Sequence, residues 1–279
     1  MAKLIMSAFA DEYSKDFLAQ LKALNGFGID YIEVRGVNGK NISELSKAEV
    51  AEIATQLKDY GVKVSSIGSP LGKVDIEGDL EAHFEKAKRV FETANDLDTK
   101  LVRAFSFYFP EGKTREEVKP AVYDAMGKLL DIADEFGVTI CHENEAKIYG
   151  ESPDKCLELL NYFNGRLKCV FDMGNFVLDG NNPMDAYKLL FPHIEYFHIK
   201  DAFYSGAIVP AGKGEAQIKE ILDEYKKTVT RDTFISLEPH LSTFDGLKDL
   251  VGKKFENPYE YENKQIAFAD AVTKLRELL

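Results

Sequence analysis

Short apolar segments alternate with amphipathic segments along the whole of this 279-residue sequence. Eight of the apolar segments have the length and residue types of buried strands, and most strand–helix units span about 25 to 40 residues. A chain that repeats strand and helix eight times favours a closed parallel barrel surrounded by helices. We therefore predict an α/β protein that forms a single (β/α)8 TIM barrel over residues 1–279.

The predicted elements follow one another without a Pro-, Gly- or Ser-rich linker. The predicted strands are 4–8, 30–35, 62–68, 100–105, 138–143, 167–172, a strand that ends at 199, and 234–237. The predicted helices are 14–28, 43–60, 80–97, 114–136, 153–163, 183–190, 217–227 and 259–278. A doubly wound open sheet is the main structural alternative, and it usually carries a glycine-rich phosphate loop after the first strand. Residues 7–11 contain no glycine, which favours the barrel.

Charge and composition limit the partners that we expect. The chain has 47 Asp and Glu against 35 Lys and Arg, a formal net charge of −12, which disfavours a nucleic-acid partner. No run of 18 apolar residues and no N-terminal leader pattern is present, so we expect no membrane association and a cytoplasmic protein. Cys141, Cys156 and Cys169 lack paired spacing and fit a reducing compartment, with Cys141 and Cys169 buried in strands.

Four of the predicted strands end in side chains that commonly bind metals: Glu143, Asp172, His198 and Glu238. The carboxyl ends of barrel strands share one mouth, so these side chains should converge. Three neighbouring carboxylates repel one another, and a divalent cation would remove that cost. We predict one bound metal, with Mn²⁺ or Mg²⁺ favoured and Zn²⁺ or Co²⁺ also compatible. Alternatively, each acid caps the following helix or pairs with a lysine.

The motifs around these residues resemble those of a known family. They are Glu143-Asn-Glu145, Asp172-Met-Gly-Asn175, His198-Ile-Lys-Asp201, Leu237-Glu-Pro239, Ile32-Glu-Val-Arg35, Gly68-Ser-Pro70 and Gly212-Lys-Gly-Glu215. This set is similar to the sugar phosphate isomerase/epimerase family of the xylose-isomerase-like TIM barrels, which is related to endonuclease IV. The group includes ketose 3-epimerases, hydroxypyruvate isomerases and inosose dehydratases.

The resemblance implies an activity and roles for the four strand-end residues. Glu143, Asp172, His198 and Glu238 would bind one metal, and Glu143 and Glu238 would also act as acid and base on the two faces of a substrate carbon. The implied reaction is isomerisation or epimerisation of a small sugar or polyhydroxy carbonyl compound through a metal-stabilised enediolate. A lyase of the inosose-dehydratase type and a non-catalytic sugar-binding barrel are the alternatives. Relatives often form homodimers or homotetramers.

The sequence departs from the family pattern at several positions. Asn175 stands where ketose epimerases usually have a histidine, and Tyr204 stands where they tend to have an arginine. These two departures disfavour simple ketohexose epimerisation. Ala211 and Lys213 stand where endonuclease IV would have further metal ligands, which argues against cleavage of DNA.

Seven further residues are candidate substrate contacts: Glu33, Arg35, Arg103, Asn175, Lys200, Asp201 and His240. For some of them we also consider structural roles, namely an internal ion pair for Glu33 and Arg35 and support of a loop by Asp201. His142 precedes Glu143, so strand alternation directs it away from the ligands and into the packing. The Gly212-Lys-Gly214 loop is a weak phosphate signal, and we favour an unphosphorylated sugar, polyol or keto acid.

Overall fold

A computed structural model describes residues 3–241 and 259–279. Its main sheet has eight strands, β1 Leu4–Ala8, β2 Tyr31–Val34, β3 Lys63–Leu71, β4 Leu101–Ala104, β5 Thr139–Glu143, β6 Lys168–Asp172, β7 Ile194–Ile199 and β8 Thr233–Leu237. Every hydrogen-bonded pair in this sheet is parallel, and the spatial order is β1-β8-β7-β6-β5-β4-β3-β2. The first strand therefore joins the last, which confirms the predicted TIM barrel.

Helices connect the strands and surround the sheet. They are α1 Phe17–Gly26, α2 Lys47–Tyr60, α3 Leu80–Asp96, α4 Arg115–Phe136, α5 Pro153–Tyr162, α6 Met173–Leu178, α7 Pro183–Leu190, α8 Ile218–Thr228 and α9 Lys264–Leu278. Within the described ranges, no helix has the length and apolar character needed to cross a membrane.

Two helices begin at least four residues after the predicted position, and one helix was not predicted. The helix expected from residue 43 begins at Lys47, because Ser46 caps it and forms a reciprocal capping box with Glu49. The last helix begins at Lys264, with Asn263 as its cap, rather than at residue 259. The short helix α6 follows β6 directly and its first five residues are buried, so its sequence has no amphipathic period to reveal it.

Strand alternation places one layer of small and aromatic side chains beneath the polar ends of the barrel. Cys141, Val170 and Tyr196 form a buried cluster, with Leu101 and Phe234 packed against it. Successive inward-facing side chains on a strand are two residues apart. The next inward-facing positions after Cys141 on β5, Val170 on β6 and Tyr196 on β7 are therefore the predicted metal ligands of these strands. All three cysteines are buried and free, as we expected for Cys141 and Cys169.

The turn after β3 is held by a buried histidine. Gly72 adopts φ +83°, and a Cβ atom at this position would lie 1.9 Å from the carbonyl oxygen of Phe105, so only glycine fits. The backbone N–H of Gly72 donates a hydrogen bond to Nε2 of His83, over 2.9 Å. Nε2 must be unprotonated to accept this bond. Burial, together with the charge of Lys86, lowers the pKa of His83 to about 4.

We predict that this histidine makes the fold sensitive to acid. The unfolded chain, with a histidine pKa near 6.5, binds more protons than the folded chain between pH 6.5 and 4. The contribution of His83 to the free energy of unfolding should thus be fully present above pH 6.5. Up to about 3 kcal/mol of it should be lost as the pH falls to 4. Urea denaturation at pH 7 and pH 4.5 measures this loss in the wild type and in His83→Gln. An equal loss in both proteins would assign the acid sensitivity to other groups.

Candidate metal and active site

The four predicted ligands come together at the carboxyl ends of four neighbouring strands. Glu143 ends β5, Asp172 ends β6, His198 lies in β7 and Glu238 directly follows β8. One ligand atom from each residue lies within 4.8 Å of those from the others, and all four residues are buried. The convergence predicted from the strand ends is confirmed, and three carboxylates with one imidazole can hold a divalent cation.

His198 lies at the centre of this cluster. Its Nδ1 is 2.8 Å from Oε1 of Glu143 and 3.4 Å from Oε2 of Glu238. Its Nε2, on the other side of the ring, is 3.2 Å from Oε2 of Glu33. An imidazole bound to a metal through one nitrogen usually donates its second N–H to a carboxylate, which fixes the ring and its tautomer. The ring of His198 is placed for this arrangement, with Nδ1 toward the ligand cluster.

Glu33 lies below the cluster rather than at the mouth. Glu33 is 1% exposed, and its Oε1 accepts a hydrogen bond from the hydroxyl of Tyr196 over 2.9 Å. The Tyr196 hydroxyl is also 3.0 Å from that of Ser66. These contacts, together with His198, surround the carboxylate with protein groups. The structure therefore indicates a positioning role for Glu33, whereas its predicted contact with substrate is still a hypothesis.

Two buried cations lie among the ligands. The guanidinium of Arg103 is 3.1 Å from Oε2 of Glu143 and 3.7 Å from Oε1 of Glu238. Nζ of Lys200 donates to Oδ2 of Asp172 over 2.8 Å and to Oε2 of Glu238 over 3.1 Å. The pairing alternative considered for the strand-end acids is thus realised along with their convergence. These two cations offset part of the negative charge of the cluster.

The pKa values of the cluster reflect burial opposed by these partners. Burial raises the pKa of Asp172 to about 6, although the Lys200 ammonium opposes the shift. Burial also disfavours ionisation of Glu143, but the charges of His198 and Arg103 outweigh it and lower the pKa of Glu143 to about 2. Glu238 behaves in the same way, because burial is outweighed by Lys200 and by the two nearby histidines, so its pKa lies well below its usual value.

Asp172 and Asn175 connect the cluster to helix α6. Oδ1 of Asp172 accepts the backbone N–H of Asn175 and so caps the helix. Oδ1 of Asn175 accepts from Lys200 over 3.0 Å, and its amide nitrogen donates to the carbonyl of Asn144. Gly174 allows the close approach of Lys200, whose backbone oxygen would be 2.8 Å from an added Cβ. Asn175 thus lies beside the ligands, although its described contacts are with the protein.

Arg35 and His240 lie above Glu238, toward the mouth. The guanidinium of Arg35 is 2.7 Å from Oε1 of Glu238, and its other nitrogens pair with Asp11 over 2.8 Å and 3.0 Å. Nε2 of His240 is 3.5 Å from the same oxygen of Glu238. The internal ion pair considered for Arg35 is present, with Asp11, Glu12 and Glu238 as its partners.

Asp201 supports a loop rather than the cluster. Its carboxylate accepts the backbone N–H groups of Gly212, Gly214 and Ala216, at 2.8 to 3.0 Å. A Cβ on Gly214 would lie 2.3 Å from this carboxylate, so the loop closes tightly around it. The loop-support alternative for Asp201 is therefore favoured over a contact with substrate.

His142 packs outside the barrel interior, as predicted. It is fully buried, and its Nε2 is 2.9 Å from the hydroxyl of Ser106.

Tyr204 is 46% exposed, and its hydroxyl donates to the carbonyl of Asn181 at 3.3 Å. Phe9 is a site residue that was not predicted: its ring meets His198 edge-on and lies under the guanidinium groups of Arg35 and Arg103. Its position directly after β1, with no polar group, offered no signal.

Comparisons with known proteins define the class of this barrel. The family model described as "Xylose isomerase-like TIM barrel" matches residues 21–257. The chain therefore belongs to the xylose isomerase-like TIM barrel family, as its motifs indicated.

Individual relatives with known activities are distant. A 3-dehydroshikimate dehydratase of Bacillus anthracis is 22% identical over 240 residues, which cover 79% of this chain and 84% of that protein. The structure of an L-ribulose 3-epimerase superposes with a TM-score of 0.74 at 18% identity, covering 100% of this chain and 95% of that chain. A xylose isomerase-like barrel from Mycobacterium smegmatis, in complex with magnesium, has a TM-score of 0.69 at 17% identity, with 100% and 97% covered. The named activities include both a dehydratase and an epimerase, so they support an enzyme but not one reaction type.

Proposed function

We propose that this protein is a divalent-metal-dependent isomerase or epimerase of a small polyhydroxy carbonyl compound. The observation that carries the proposal is the placement of two buried glutamates, Glu143 and Glu238, on strands three positions apart in the barrel sheet. Both lie against His198 within one possible metal site. A substrate carbon between two such carboxylates can lose a proton to one and regain it from the other.

The residues of the cluster and their neighbours have separate roles in this proposal. Glu143, Asp172, His198 and Glu238 would hold one divalent cation, and magnesium in a related barrel is consistent with a cation of this kind. When bound, the cation would supply positive charge next to the substrate carbonyl and make the neighbouring C–H more acidic. Arg103 and Lys200 keep Glu143 and Glu238 ionised, which a proton-accepting group requires. Glu33 holds the His198 ring in place.

A lyase is the second candidate, and one specific observation favours it. The curated relative with 22% identity is a 3-dehydroshikimate dehydratase. Its reaction class begins with the same removal of a proton next to a carbonyl but ends with the loss of water. The same two carboxylates could serve it, one as the base and the other as the acid that protonates the leaving hydroxyl.

The reaction type can be determined by proton exchange in heavy water. The Mn²⁺-loaded protein is incubated in D₂O with a panel of free and phosphorylated sugars, keto-inositols, hydroxypyruvate and 3-dehydroshikimate, and the products are followed by NMR and mass spectrometry. We expect deuterium at the carbon next to the carbonyl without loss of water. Loss of water would favour the lyase, whereas neither change with any compound would favour a non-catalytic sugar-binding barrel.

A further inference from the structure

A cavity of about 270 Å³ opens beside the candidate active site. Its walls come from the segments that follow β1, β2 and β8, together with the first residue of α9. In a TIM barrel these segments form the mouth, where substrate enters. The residues that matter here are Lys15, Arg35, Lys40, Lys264, Glu12 and His240. The volume suits a small polar group with a few attached carbon atoms.

The cavity borders two side chains that contact one member of the proposed acid/base pair. Arg35 and His240 line it, and both contact Oε1 of Glu238, at 2.7 Å and 3.5 Å. A molecule with its reacting carbon beside Glu238 would therefore extend past these two side chains into the cavity. The cavity is thus positioned for the end of the substrate that does not react.

The charge of the lining contrasts with that of the whole chain. Acids outnumber bases by 47 to 35 in the sequence, but four of the ten lining residues are Lys or Arg and two are acids. The charge of Arg35 is offset by Asp11 and Glu238, and Lys40 pairs with Glu49 over 2.6 Å. Lys15 and Lys264 form no ion pair with any residue in 3–241 or 259–279. The cavity therefore has two cationic groups that form no ion pair with a carboxylate of the described residues.

The glycine loop after β7 does not compete for an anion. Its backbone N–H groups at Gly212, Gly214 and Ala216 all point at the Asp201 carboxylate, which occupies the position that an external anion would need. The phosphate signal in the Gly212-Lys-Gly214 sequence is therefore satisfied internally. Lys15 and Lys264, which have no ion-pair partner in the part of the chain that the structure describes, are the better candidates for anion recognition.

We propose that this cavity binds an anionic group of the substrate, a phosphate ester or a carboxylate, through Lys15 and Lys264; the proposal deepens the proposed function and rests on it. The substrate would then be an acidic polyhydroxy carbonyl compound rather than a neutral sugar. Two ammonium groups attract either anion as point charges, so the same site chemistry serves both.

Calorimetric titration of the Mn²⁺-loaded full-length protein tests the site with two probes, inorganic phosphate and acetate. We expect saturable binding of at least one probe, and the better one indicates the substrate anion. The double variant K15Q/K264Q should bind it at least about 10-fold more weakly, because each charged contact is worth roughly that factor. K22Q/K58Q is the matched control, since it removes the same charge from two exposed helical lysines without ion pairs among the described residues. Its affinity should stay within about twofold.

The outcomes separate this proposal from the function on which it rests. Equal affinity in the two double variants, or no saturable binding of either probe by the wild type, would overturn the anion site. If acidic substrates exchange their proton in D₂O, K15Q/K264Q should raise KM at least about 10-fold and leave kcat unchanged. Exchange with neutral sugars alone would overturn the anion site and keep the isomerase. Anion binding without any proton exchange would keep the site and refute the isomerase.

Discussion

Replacement of either Glu143 or Glu238 by glutamine should lower the rate of proton exchange by at least about 10³-fold. Each change removes a group that accepts or returns the proton and also weakens a ligand of the candidate metal site. Glutamine has nearly the same shape and still offers an oxygen to His198, so the barrel should stay folded. The measurement is deuterium incorporation under saturating Mn²⁺, with circular dichroism to monitor the fold.

Loss of either carboxylate interrupts the transfer between the two faces of the carbon, so neither variant should exchange deuterium or form the other isomer at the wild-type rate. Glu195→Gln is the matched control, because Glu195 lies at the start of β7, away from the mouth, and pairs with Arg231. It should keep full activity. Retention of activity in Glu143→Gln or Glu238→Gln would refute the assignment.

The barrel and its metal-ligand set could be predicted because each depends on a short-range signal. Buried parallel strands are continuous apolar runs, and the change from apolar to charged residues at Asp172 or Glu238 marks the end of a strand. The barrel topology brings all such ends to one mouth. Gly61 and Gly137 could be recognised in the same way, because both cap a helix with positive φ and lead into the next strand.

The partners of the charged residues could not be predicted, because they depend on which loops meet at the mouth. Arg35 follows β2, but its carboxylates come from the segment after β1 and the end of β8. Asp201 looks like a substrate group in sequence, and only the return of the chain at Gly212 and Gly214 shows that it holds a loop. Glu33 is an inward residue at the end of a strand, like the ligands, but a bulge after Ile32 and the neighbouring Tyr196 place it lower.

Binding of Mn²⁺ should stabilise the fold and also activate the proposed enzyme. A ligand that binds only the folded state adds about 4 kcal/mol to the free energy of unfolding at 1,000 times its Kd. For a chain of this size we therefore expect an increase in Tm on the order of 10 °C. Treatment with a chelator should reverse the shift and reduce proton exchange at least about 10³-fold, and Mn²⁺ or Mg²⁺ should restore both. The same two measurements with Zn²⁺ and Co²⁺ test the other two candidate metals.

The alternative is that the cluster needs no metal, because Arg103 and Lys200 already lie against its carboxylates. The thermal shift separates the two cases without reference to activity. Asp172→Asn should abolish the Mn²⁺-dependent shift, since a neutral amide is a poor replacement for a carboxylate ligand. Asp179→Asn is the control, because Asp179 is a half-buried acid outside the ligand set, and burial raises its pKa to about 7. A shift of the same size in the wild type and in both variants would place the metal elsewhere. The absence of any shift in the wild type would mean that Lys200 and Arg103 balance the cluster, and the proposed metal-dependent chemistry would have to be abandoned.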